Sequence, residues 1–132
     1  MSRADVEADI RETLGLVPSF MSAVPDGLIE SEWASWKALE LAETHIPNKY
    51  KELIGLAVSG ATRCRYCAHF HAEAARLFGA TEEEIAEASL MAKHTMGWST
   101  YLNAMAVDYD AFVAELDQML AYVRAQAAAA PA

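Results

Sequence analysis

An all-α, single-domain helical bundle of about six to eight helices follows from three observations. The apolar share is 54%, above what a disordered chain carries, and much of it is alanine, the strongest helix former. No run of β-branched residues alternates well enough to make a strand. Gly, Pro and cap-forming residues also divide the chain into segments of helical length.

The first helix is expected over Ala4 to Leu14, with Gly15 ending it. Val17-Pro18-Ser19-Phe20-Met21 restarts helix with Pro18 near the first turn, and Pro25-Asp26-Gly27 breaks it again. A longer helix from about Leu28 to Glu43 carries Trp33, Trp36 and Leu39. Pro47 interrupts, and Asn48 is a good N-cap for Lys49 to Ser59. Thr62 can cap the next helix, which should stop at Gly79. Thr81-Glu-Glu-Glu84 is a capping box that opens a helix to about Thr95. Gly97 is expected to bend or break the path before a helix to about Val107, and the last helix runs from Tyr109 to about Ala125. One domain, 1–132, is expected, with its core at about 28–125, short N-terminal helices at 4–25 and a frayed tail at 126–132.

The net charge of −9 argues against nucleic acid or an anionic membrane surface as a partner. No stretch approaches the roughly 18 apolar residues of a membrane span, and the first residues lack the apolar centre of a signal peptide. The expected location is cytoplasmic, where a close cysteine pair is catalytic or metal-binding more often than a structural cross-link.

The chemistry lies in Cys64-Arg-Tyr-Cys67-Ala-His-Phe-His71, which holds the only two cysteines of the chain. Residues three and four apart share a helix face. At 100° per residue, Cys64, Cys67 and His71 fall within roughly 60°, together with Ala68, Ala75 and Phe78, so this is the inward face. His69 points about 200° away from Cys67, toward solvent or another subunit, which selects His71 as the partner of the thiols. With Thr62 as cap, Cys64 sits in the first turn, where free N–H groups, the helix dipole and the neighbours Arg63 and Arg65 favour a thiolate. Cys67, one turn deeper, should be less accessible.

Glu52 opens a helix that is apolar almost all round after it, so its carboxylate needs a partner. Two placements stay open. Glu52 and His71 can meet to form a Glu–His–Cys proton relay, or Glu52 can answer the helix dipole at a solvated end. Tyr66 can line the pocket or pack in the core. His45 reads as a surface residue, His94 as a satisfied core histidine, and the three tryptophans as core or subunit-interface residues.

Glu52, eleven intervening residues, then C-x-x-C-x-x-x-H resembles the pattern of the alkylhydroperoxidase D-like group of the carboxymuconolactone decarboxylase superfamily. Flanking Gly15-Leu-Val-Pro18-Ser-Phe20 and Leu77-Phe-Gly79-Ala-Thr81 agree. The resemblance implies an all-helical fold assembled as trimers or hexamers. It implies that Cys67 attacks a hydroperoxide, that Cys64 is the more exposed partner closing the disulfide, and that Glu52 and His71 relay protons. Tyr66 stands where the best-known members have a further His, which touches the rate and the reductant more than the dithiol chemistry. The implied partners are a small hydroperoxide and a dithiol reductant of lipoyl or thioredoxin type; the reading needs no cofactor and no metal. Three other readings use the same chain: a metal-binding module on Cys64, Cys67, His71 and Glu52, a non-enzymatic redox sensor, and a decarboxylase like the superfamily's namesake.

Overall fold

A computed structural model describes residues 1–131 and is all-helical among them. Seven α-helices follow in order: α1 (Arg3–Leu14), α2 (Ser19–Ser22), α3 (Ile29–Trp36), α4 (Asn48–Thr62), α5 (Arg65–Leu77), α6 (Glu82–Ala104) and α7 (Tyr109–Ala129). Local chemistry explains most ends. Ser2 and Asp5 form a capping box on α1, and Gly15 closes that helix at φ 82°, a left-handed conformation that glycine adopts without cost. Thr81 and Glu84 form the expected box on α6.

The core differs from the expected span. Its apolar cluster is Val6, Ile10, Met21, Ile29 and Trp33, so α1 and α2 supply the centre instead of flanking a core at 28–125. Val6 and Ile10 lie one turn apart and both face α3. Trp33 Nε1–H donates to Asp9 at 2.8 Å, which satisfies the indole without opening the cluster. Lys37 also pairs with Asp9. Ile10 is fully buried, so Ile10→Ala should lower unfolding free energy by about 3 kcal/mol in urea denaturation.

Several helix boundaries also differ. The helix expected from Leu28 to Glu43 stays α-helical only to Trp36, then widens into a π-turn over Lys37–Leu41, closed by Ala42 N–H donating to Lys37 O at 2.9 Å. Asn48 is the first residue of α4, and its side-chain amide donates to Leu41 O at 3.0 Å. Thr62 ends α4, its hydroxyl turned back onto Val58 O, and Cys64 takes the cap of α5. Gly97 does not break α6, since a lone glycine inside a long helix costs only about 1 kcal/mol. The tail expected to fray is helical to Ala129; position 132 lies outside the described residues.

Helix α4 is the scaffold of the second half and packs against α5 and α6. Neither α6 nor α7 has a buried residue among those described, and apolar side chains such as Trp98, Met119 and Val123 lie open on them. Among the described residues no helix is long and apolar enough to cross a membrane.

Candidate functional site

Helices α4 and α5 bring the predicted residues together. Glu52 is 1% exposed on α4, and its carboxylate oxygen lies 2.6 Å from His71 Nδ1 on α5. Of the two placements open to Glu52, the buried, paired one is correct. A carboxylate at that depth is tolerated because the imidazole takes up its hydrogen-bonding capacity. With Nδ1 engaged, the other ring nitrogen, Nε2, is left for a further partner.

The approach depends on Gly55. A methyl group there would lie 2.5 and 2.6 Å from His71 Nδ1 and Nε2, with Cε1 closer still. The imidazole thus occupies the space that any other residue at 55 would fill. In the sequence Gly55 reads only as a glycine within an apolar helix, so its role as the floor beneath His71 was invisible there.

Cys64 is the N-cap of α5 and accepts from the backbone N–H of Cys67 at 3.3 Å. The two sulfurs are 2.7 Å apart and unbonded. With both thiols protonated the Cys64 S–H donates to Cys67 Sγ, and once Cys64 ionises the Cys67 S–H donates back to it. That hydrogen bond, backed by the backbone N–H groups of Cys67 and Tyr66, holds the Cys64 thiol below the ordinary thiol range. Donating to Cys64, together with some burial, pushes the Cys67 thiol up. Alkylation should therefore modify Cys64 at lower pH than a free thiol, since its reactive thiolate persists further down in pH. Cys67→Ala removes the S–H donor and should move the midpoint of Cys64 alkylation upward, as followed by intact mass.

The expected order of accessibility is reversed: Cys67 is exposed and Cys64 only half-exposed. Helical spacing gives a direction for these side chains and not what covers them, and Cys64 itself lies outside α5 as its cap. The cap conformation folds Cys64 back on the helix end, whereas Cys67 opens into a cavity of about 510 Å³. Phe20, Trp36 and Phe70 make its aromatic wall, with His71 and Tyr66 beside Cys67. Tyr66 thus lines the cavity, and Arg65 lies over its ring. His69 and His45 are exposed as expected. His94 is exposed as well and stacks edge-on against Trp98, remote from this cavity and not in the core.

Glu40, not singled out from the sequence, also lines the cavity. It sits on the π-turn, and Lys51 Nζ on α4 holds that turn by donating to Leu39 O and Ala42 O, both at 2.8 Å. The result brings donor atoms of Glu40, Glu52 and His71 within 4.8 Å of one another. This is a different set from Cys64, Cys67, His71 and Glu52, the ligands expected for a metal module: among the described residues the gathered donors include neither cysteine. A turn of π-helix shifts the following side chains by about one position, a register change that no helical wheel anticipates.

Comparison with known proteins identifies chains similar to this one in sequence and fold. The carboxymuconolactone decarboxylase family model matches residues 20–110. The crystal structure of the alkylhydroperoxidase AhpD core from Rhodospirillum rubrum is similar, with a TM-score of 0.71 and 31% identity, over 83% of this chain and 85% of that one. A protein from Methanobacterium thermoautotrophicum is similar with a TM-score of 0.58 and 34% identity, over 67% of this chain and 97% of that one. Uncharacterized protein 4 in the cox locus of Paracoccus denitrificans is 30% identical over 76 residues, 58% of this chain and 68% of the relative.

Proposed function

From the premise that this chain belongs to the carboxymuconolactone decarboxylase family, we propose that it is a dithiol hydroperoxidase of the alkylhydroperoxidase D-like type. Membership supports a role related to the family's peroxidases or decarboxylases. The observation favouring the peroxidase side is the Cys67 thiol opening into an aromatic cavity, one helical turn from a histidine locked to a buried glutamate. Decarboxylation has no use for such a thiol pair.

In this reading His71, oriented and charge-compensated by Glu52, takes the Cys67 proton. The Cys67 thiolate attacks the terminal peroxide oxygen; the S–O bond forms as the O–O bond breaks, and the alkoxide leaves with a proton as alcohol. Cys64, whose thiolate is favoured at the cap, then attacks Cys67 Sγ and expels the oxygen as water. The sum is hydroperoxide plus dithiol giving alcohol, water and disulfide. A dithiol reductant returns the protein to its starting state.

The same proposal places the protein in the cytoplasm, where such reductants operate, and in a homo-oligomer, a trimer or hexamer, whose contacts would cover the open apolar faces of α6 and α7.

The test is intact mass before and after one equivalent of tert-butyl hydroperoxide. Wild type should lose two hydrogens with both thiols consumed, and Cys67→Ser should form no internal disulfide. Two unreacted thiols in the wild-type protein would sink the proposal.

A further inference from the structure

Arg63 and Arg65 flank Cys64 in a chain of net charge −9, and both stand where an arginine is disfavoured. Arg63 is the C-cap of α4 at φ 57°, ψ 36°, the left-handed region that glycine or asparagine normally occupies. Arg65 is the first residue of α5, where the helix dipole opposes a cation. Helices α1, α3, α6 and α7 place acidic residues in that first turn instead.

Four of the other cations are neutralised locally, Arg3 by Glu7 and Asp26, Lys37 by Asp9, Lys49 by Glu84, and Arg76 by Glu73 and Glu82, while Arg11, Lys51, Lys93 and Arg124 form no ion pair among the described residues. Among the described residues Arg63 has no such partner, and Arg65 contacts only the Tyr66 hydroxyl and ring. Both are exposed. The groups that lower Cys64 are the S–H and N–H of Cys67 and the N–H of Tyr66, with neither arginine among them.

We propose that Arg63 and Arg65 are the docking point for a negatively charged dithiol reductant of the Cys64–Cys67 disulfide. The inference rests on the dithiol reading above and adds the charge of its electron donor. A reductant held at this patch presents its thiolate to the exposed Cys67. A mixed disulfide forms at Cys67 as the Cys64–Cys67 bond breaks, and Cys64 leaves as the better-stabilised thiolate. The second thiol of the reductant then attacks its own bound sulfur, releasing Cys67. Two electrons and two protons pass to the protein, and the reductant leaves as its disulfide.

Dihydrolipoate and dihydrolipoamide test this, because they share one dithiol and differ by one carboxylate. The protein disulfide is first closed with diamide, and its reduction is followed by trapping free thiols and weighing the intact chain. At low ionic strength dihydrolipoate should react roughly fourfold faster than dihydrolipoamide, the effect of two nearby cations in water, and the ratio should fall toward one at high salt. Arg63→Gly and Arg65→Gln should each reduce the ratio. Arg63→Gly should also melt about 3 °C higher, because glycine suits the left-handed cap. A wild-type ratio at or below one, or a ratio unchanged in both variants, overturns the proposal. Diamide closes the disulfide without any hydroperoxide, so a protein inert to tert-butyl hydroperoxide would count against the peroxidase reading alone. Failure of diamide to close the pair would overturn both.

Discussion

Glu52→Gln should slow the reaction with tert-butyl hydroperoxide by about a hundredfold, the lower end of what a positioned acid–base group contributes. The substitution keeps the shape of the side chain and an oxygen able to accept from His71 Nδ1 at the observed 2.6 Å. What disappears is the negative charge that stabilises the imidazolium once His71 has taken the Cys67 proton. Because the amide keeps the hydrogen bond to His71 and has no charge to bury, unfolding stability should be nearly unchanged. His71→Gln should cost about as much rate as Glu52→Gln. The double variant should be little worse than either, since the two residues act as one unit. Stopped-flow rates for the three variants give the comparison. A Glu52→Gln protein reacting at the wild-type rate would remove the glutamate from the mechanism.

The same pair shows how much of the site could be read from sequence. Cys67 and His71 are legible because four-residue spacing places both on one face of α5, and both line the cavity. The meeting of Glu52 with His71 was legible as one of two solutions for a carboxylate entering an apolar helix. Other features depended on what neighbouring elements do. Glu40 reaches the site through a π-turn whose carbonyls are held by Asn48 and Lys51, and local sequence does not announce that extra residue. Thr62 and Cys64 were both chemically able to cap α5, and the left-handed backbone at Arg63 decided for Cys64. The core was misplaced because α1 buries only Val6 and Ile10 among many polar residues, a stripe too sparse to stand out. Cys67 was expected to be deep because a helical wheel gives a direction and not the depth of cover above it.

Gly55→Ala tests the part of the site that sequence concealed, and it should abolish the relay without touching any reacting group. In isolation the change favours the helix by about 1 kcal/mol. Here the added methyl would occupy the imidazole's place. His71 is the side that can yield, since its ring borders the cavity whereas Gly55 is fixed in the middle of α4. Rotation of the ring into the cavity breaks its bond to Glu52 and leaves a buried carboxylate without its partner. Removing one member of such a pair costs about 3–5 kcal/mol, so after the helical gain the variant should lose about 3 kcal/mol in urea denaturation. Its peroxide rate should fall about as far as that of His71→Gln. Adding Glu52→Gln to Gly55→Ala separates the two effects: an amide tolerates the unpaired position better than a charge, so stability should recover while the rate stays low. A Gly55→Ala protein that keeps the wild-type peroxide rate would show that the Glu52–His71 contact is structural support and that Cys67 loses its proton by another route.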